Sequence, residues 1–158
     1  MNKSIKPLVV LHESIIPLEK LYSFLRDRSI ENSYHTLIKR NGSIVYVTSP
    51  DKRVLAAGQP SSFRGESISD SVDPFAYHIC LISPTQRNID GSHKGYTEEQ
   101  YKSLGWLLKQ LMIPWERITT HKEVDLTRRA RDPEGFNYFI LKKNYIRARL
   151  IKPIFFKV

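Results

Sequence analysis

One hairpin restricts the fold of this chain more than any other stretch. Ser33-Tyr34-His35-Thr36-Leu37-Ile38-Lys39 and Ser43-Ile44-Val45-Tyr46-Val47 are two short runs rich in β-branched and aromatic residues, joined by Arg40-Asn41-Gly42. Asn-Gly tolerates the positive φ of a tight turn, so the segment reads as two antiparallel strands. Alternation puts Tyr34, Thr36 and Ile38 on one face and His35, Leu37 and Lys39 on the other, so Tyr34 and His35 are not expected to enter one site.

The hairpin sits among elements of another kind. Residues 7–11 and 76–82 are continuous apolar runs, the pattern of strands buried on both faces. The first delivers His12 at its C-terminal end. Residues 14–28 follow with Pro17 near the start and Leu18, Leu21, Tyr22 and Leu25 at helical spacing. Residues 48–75 read as a long loop around a short strand at 54–57. Thr97-Glu98-Glu99-Gln100 fits a capping box, and the helix it opens places Tyr101, Leu104, Leu107, Leu108 and Leu111 on one face, with Pro114 ending it. Residues 116–120 lead as a short strand into His121, and a last helix is expected over 136–147. Strands and helices alternate around one hairpin, which predicts an α/β fold: a single domain with a mixed central β-sheet flanked by α-helices. The expected organisation is residues 1–135 as the main domain, with residues 136–158 as a basic helix and tail packed on it.

Composition narrows the function classes. The chain has 158 residues and 41% hydrophobic content, enough for one soluble core. One cysteine, Cys80, excludes an intramolecular disulfide framework and an all-cysteine zinc site. The net charge of +9 points to an anionic partner: nucleic acid, an anionic membrane or an acidic wall polymer. Nucleic acid is the weakest of these, because no reading helix or aromatic RNA motif is visible. The N-terminus lacks an apolar signal-peptide core and no run reaches membrane-spanning length. The expectation is cytoplasmic synthesis with any export by another route, and a monomer.

His121 and Asp132 bracket a basic loop containing Arg128, Arg129 and Arg131. Histidine and carboxylate can bind zinc, but a catalytic zinc usually takes three protein ligands and leaves one position for water. A lone histidine at a strand end is more often structural than a ligand, an Asp before Pro is ordinarily a turn former, and an arginine loop is ordinarily solvated. His35 and His78, inside strands, read as satisfied sheet residues, and His93 as a solvated loop residue.

The order of these segments resembles the zinc amidase family of N-acetylmuramoyl-L-alanine amidases, amidase-type phage lysozymes and peptidoglycan recognition proteins. Val9-Val10-Leu11-His12 resembles the strand ending in the first zinc histidine. Tyr34 through Gly42 resembles the family hairpin, in whose phage branch the Tyr stands beside the metal. Ala57-Gly58-Gln59-Pro60-Ser61-Ser62-Phe63-Arg64-Gly65 resembles the substrate-groove segment, Tyr96-Thr97-Glu98-Glu99-Gln100 the usual helix opening, and Thr120-His121 and Asp132-Pro133 the remaining ligands. The resemblance implies zinc held by His12, His121 and Asp132, catalytic assistance from Tyr34 and from Arg131 or Arg129, and substrate contacts from Ser61, Ser62 and Phe63. It implies hydrolysis of the amide between N-acetylmuramic acid and L-alanine in peptidoglycan, in the manner of an endolysin acting on the wall after release.

The chain departs from the family pattern at three places. Ala56 stands where many members have His, Cys80 where the recycling amidases carry Glu, and Ala130 where the basic catalytic residue is usual. The phage branch also lacks that Glu. The other two departures keep open a second reading, a peptidoglycan-binding module of the same fold without catalysis. Residues 136–158 carry Lys142, Lys143, Arg147, Arg149, Lys152 and Lys157 and no acid, so this tail can also meet anionic cell-wall polymer. The plainer reading is a docked helix with a solvated basic face.

Overall fold

The computed structural model describes residues 4–16, 19–21, 23 and 34–155. Five strands build one sheet: β1 (Leu8–Ser14), β2 (Thr36–Ile38), β3 (Ile44–Tyr46), β4 (Ala76–Ile82) and β5 (Ile118–Thr120), in the order β3-β2-β4-β1-β5. β2 and β3 pair antiparallel, and β2–β4, β4–β1 and β1–β5 are parallel. The sheet is therefore mixed, as the embedded hairpin requires. Three α-helices follow β4: α1 (Glu98–Gln110), the short α2 (His121–Val124) and α3 (Tyr138–Arg147). Most of the helix expected over residues 14–28, including Leu18, Tyr22 and Leu25, lies outside the described residues; Leu21 is described and is buried.

α1 opens on the capping box read from the sequence. Thr97 accepts from Gln100 N at 3.1 Å, and the Gln100 side chain accepts from Thr97 N at 3.0 Å. Its apolar stripe of Tyr101, Leu104, Leu107, Leu108 and Leu111 packs on Val9, Leu11, Tyr77, Ile79 and Leu81 of β1 and β4, and Leu141 of α3 closes the same cluster. The opposite face of the sheet presents Leu8, Val10 and Ala76 to Ala57, Phe63, Val72 and Phe75 of the long loop.

Three local expectations change. β1 runs to Ser14 rather than ending at Leu11, because its pairing with β4 continues through His12↔Cys80 to Ser14↔Ile82. His12 thus lies inside a strand. No strand forms at 54–57; Ala57 N and Gly58 N donate instead to the Asp73 carboxylate, at 2.9 and 3.3 Å. Tyr34 does not share a face with Ile38, because the regular strand begins only at Thr36. It packs with Leu37 and Cys80, while Ile38 joins the helix-side core.

Tyr77 offers a test of this core. It is fully buried, and its hydroxyl meets that of Thr36. Burial pushes its pKa up to about 12 against an ordinary 10. A folded pKa above the unfolded one means that stability is intact below pH 10 and falls as pH rises toward the folded value. Tyr77 alone should contribute a loss of about 1.4 kcal/mol per pH unit in that window. Urea midpoints at pH 8 and pH 11 should converge in Tyr77→Phe relative to the parent; an equal alkaline loss in both would show that this hydroxyl is not responsible.

Candidate metal centre and cleft

The sheet register brings the two distant histidines together. β5 ends at Thr120, paired with Leu11, so the residues that follow these two, His121 and His12, lie side by side where β5 stops. Their ring centroids are 4.9 Å apart. His121 opens α2, held there by a second capping box in which Thr120 and Glu123 exchange backbone and side-chain bonds. Glu123 also accepts from Thr119 and Tyr138 hydroxyls at 2.7 Å, which commits it to the start of the helix.

Asp132 comes back to this edge through backbone bonds. Lys122 N donates to Asp132 O at 3.0 Å, and Glu13 Oε1 accepts from Glu134 N at 3.0 Å. Its carboxylate then spans both rings: Oδ1 is 2.8 Å from His121 Nδ1 and Oδ2 is 3.4 Å from His12 Nδ1. Ligand atoms of His12, His121 and Asp132 all lie within 4.8 Å of one another. Tyr34 stands beside them, its ring 5.2 Å from that of His12.

Electrostatics differ across the cluster. Burial lowers the pKa of His12 to about 4, so its ring is neutral at pH 7. Burial also opposes a charge on His121, but the bond and charge of Asp132 outweigh it and raise the pKa. Burial works against the Asp132 carboxylate as well, yet the two histidine rings against it hold it well below the usual carboxylate range. Burial pushes the Tyr34 phenol far up, so it remains a proton donor.

The cluster lies in a cleft of ≈ 540 Å³ whose wall includes Tyr34, Ala56, Arg87, Arg129, Ala130 and Arg131. Both candidate arginines therefore reach the cleft, and Ala130 lies between them. Asp125 shapes their loop: its carboxylate accepts from Arg129 N at 2.9 Å and Ala130 N at 2.7 Å. Those donors hold its pKa down to about 2.

The groove residues are placed elsewhere. Ser61 is fully buried and donates to Gly58 O at 2.7 Å, and Phe63 packs in the loop-side core. Ser62 and Phe63 line a separate depression with Arg64, Glu123 and Tyr138. Ser61 and Phe63 thus help to fold the long loop against the sheet, apart from the metal cluster. Sequence reasoning passed over Glu13 and Arg87. Glu13 Oε2 accepts from Arg87, His93 and Tyr96 at 3.0, 3.1 and 3.0 Å and so ties the 83–96 loop to the cleft. A charged residue at the end of an apolar strand was the available signal. His93, expected to be solvated, is part of this clamp.

A family model described as N-acetylmuramoyl-L-alanine amidase matches residues 3–135. The chain belongs to this family. Among solved structures it is similar to AmpD, with TM-score 0.65 and 23% identity over 89% of this chain and 85% of that one. It is also similar to the amidase AmiD from E. coli, solved with anhydro-N-acetylmuramic acid-L-Ala-D-gamma-Glu-L-Lys, with TM-score 0.70 and 19% identity over 91% of this chain and 60% of AmiD. The Ph2119 endolysin from Thermus scotoductus MAT2119 bacteriophage Ph2119 matches with TM-score 0.60 and 14% identity over 90% and 87%. At these identities the likeness is one of fold. No curated protein matches the chain.

Proposed function

We propose that this member of the amidase family is a zinc-dependent N-acetylmuramoyl-L-alanine amidase that hydrolyses the amide between N-acetylmuramic acid and L-alanine in peptidoglycan, in the manner of an endolysin. The observation that carries this reading is the convergence of two imidazoles and one carboxylate within 4.8 Å at a cleft. Two nitrogens and one oxygen from the protein, with an open side, form a donor set that suits catalytic zinc. Zinc held by His12, His121 and Asp132 supplies Lewis acidity and lowers the pKa of water to about 7.

The remaining groups are arranged for an amide carbonyl that develops negative charge. Tyr34 keeps its proton and can donate to that oxygen. Arg131 or Arg129 brings a cation into the same cleft, and a well-placed donor of this kind is worth about 3–4 kcal/mol in comparable sites. The substrate class is supported by the family and by the muropeptide in the AmiD structure. The tail supplies adsorption to anionic wall polymer: Phe139, Ile146, Leu150, Ile151 and Phe155 are exposed among its basic residues. The protein acts on the wall after release from the cytoplasm.

The purified protein should clear cell-wall suspensions, release new alanine amino termini and lose both activities to a chelator. Solubilised wall without new alanine amino termini would exclude the amidase reading. The second reading, a non-catalytic wall binder, is favoured by Ala56 and Ala130 in the cleft wall; it predicts wall binding without stoichiometric zinc.

A further inference from the structure

His78 reads in the sequence as an ordinary sheet residue, but it lies on the same face of the sheet as His12, one strand away. His12 Nε2 is 2.9 Å from His78 Nδ1. His78 Nε2 is 3.1 Å from Asp73 Oδ1, within ion-pair reach but outside hydrogen-bond geometry. Asp73 in turn accepts from Ala57 N and Gly58 N. A continuous path therefore runs from the Asp73 carboxylate through two imidazoles to the Asp132 carboxylate.

Two neutral imidazoles carry two ring protons, and this path has three contacts to satisfy: Asp73–His78, His78–His12 and His12–Asp132. One contact must go without a proton. If His78 Nε2 lacked it, a lone pair would face the Asp73 carboxylate, which is 1% exposed at its side chain and out of reach of solvent. If the middle contact lacked it, two buried ring nitrogens would face each other as acceptors. The Asp132 side chain is 23% exposed and borders the cleft, so there the missing proton can be replaced by water or a cation. The least costly arrangement has the His78 Nε2–H on the side of the Asp73 carboxylate and His12 Nε2–H donating to His78.

We infer that Asp73 and His78 are positioning residues that hold His12 in the tautomer whose Nδ1 lone pair faces Asp132, and thereby set the affinity of the site for a divalent metal. The inference rests on the zinc reading of the His12–His121–Asp132 cluster. Histidine ligands commonly donate their second N–H to a fixed partner, and losing that partner costs ~10–100-fold in metal affinity. Here the partner is a second histidine, itself oriented by a buried carboxylate.

The test uses the full chain. Zinc dissociation constants are measured by competition with a chromophoric chelator for the parent, His78→Leu, His78→Asn and Asp73→Asn, with the visible spectrum of the cobalt(II)-loaded proteins as a second readout. Asn at 78 can present an amide oxygen near the Nδ1 position and accept from His12; Leu cannot. The expected result is a ~10–100-fold weaker zinc affinity and an altered cobalt spectrum in His78→Leu, with His78→Asn restored to within a few-fold of the parent. Long-range proton–nitrogen NMR of the metal-free parent should show His12 and His78 both as the Nε2–H tautomer. Equal affinity in the parent and His78→Leu, or a His12 Nδ1–H tautomer, overturns the inference while leaving the zinc reading intact. A parent that takes up no zinc overturns the zinc reading itself. Should His78→Leu fail to fold, Asp73→Asn carries the test: affinity equal to that of the parent overturns the inference.

Discussion

His12→Ala is expected to remove zinc uptake and wall hydrolysis together. The ring is 1% exposed and its two nitrogens face Asp132 and His78, so truncation deletes one of three candidate ligands and leaves the others too few to close the site. Lewis-acid stabilisation of several kcal/mol would disappear with the metal, which corresponds to roughly 10³-fold or more in rate. Elemental analysis after dialysis, together with release of alanine amino termini, reads both effects. Full zinc occupancy in the variant would remove His12 from the ligand set. Retained occupancy with lost turnover would give the ring a role in the reaction other than metal binding. The substitution also leaves a buried cavity, so a melting curve belongs with the assay.

Gly105→Ala is expected to destabilise the fold, against the usual direction for a glycine inside a helix. In a free helix that change gains about 1 kcal/mol from backbone entropy. Here α3 crosses α1 at this residue. A β-carbon on Gly105 would lie 2.7 Å from Asn144 C and 2.8 Å from Tyr145 N. Those are backbone atoms of a helix and cannot rotate aside, so α3 must shift as a body. Overpacking of this kind costs about 1–3 kcal/mol. The shift would also loosen fully buried Leu141 and the Trp115–Tyr145 contact, whose ring centroids are 5.6 Å apart. Packing therefore outweighs propensity. The expected loss is of the order of 1–2 kcal/mol, read as a lower urea midpoint and a weaker near-ultraviolet signal from Trp115. A variant as stable as the parent, or more so, would show that the helices part without cost.

The local elements were legible because their causes are local. The Asn41-Gly42 turn, the apolar runs of β1 and β4, the Thr97–Gln100 capping box and the leucine stripe of α1 depend on neighbours within a few positions. The candidate ligands His12, His121 and Asp132 were legible in another way, through the order of segments that resembles a known family. Nothing in the spacing of His12 and His121 brings them together. That follows from the parallel register of β1 with β5, a choice made by the whole core.

Other features had no local trace. Tyr34 was placed on the wrong face because alternation was extended two residues beyond the strand it belongs to. The burial of Ser61 and Phe63 had no local trace either, because a loop sequence does not reveal what it folds against.

The sequence by itself determined the mixed α/β class, the caps and strands that shape the edge of the sheet, and a basic loop between His121 and Asp132. Only the tertiary structure decided that these ligand candidates meet, that Glu13 clamps the neighbouring loops, that Gly105 must be small, and that His78 and Asp73 stand behind His12. The physical reason is the same throughout. Propensity and capping are settled within a turn or a strand, whereas proximity across a sheet is settled by which strands pair and in what register.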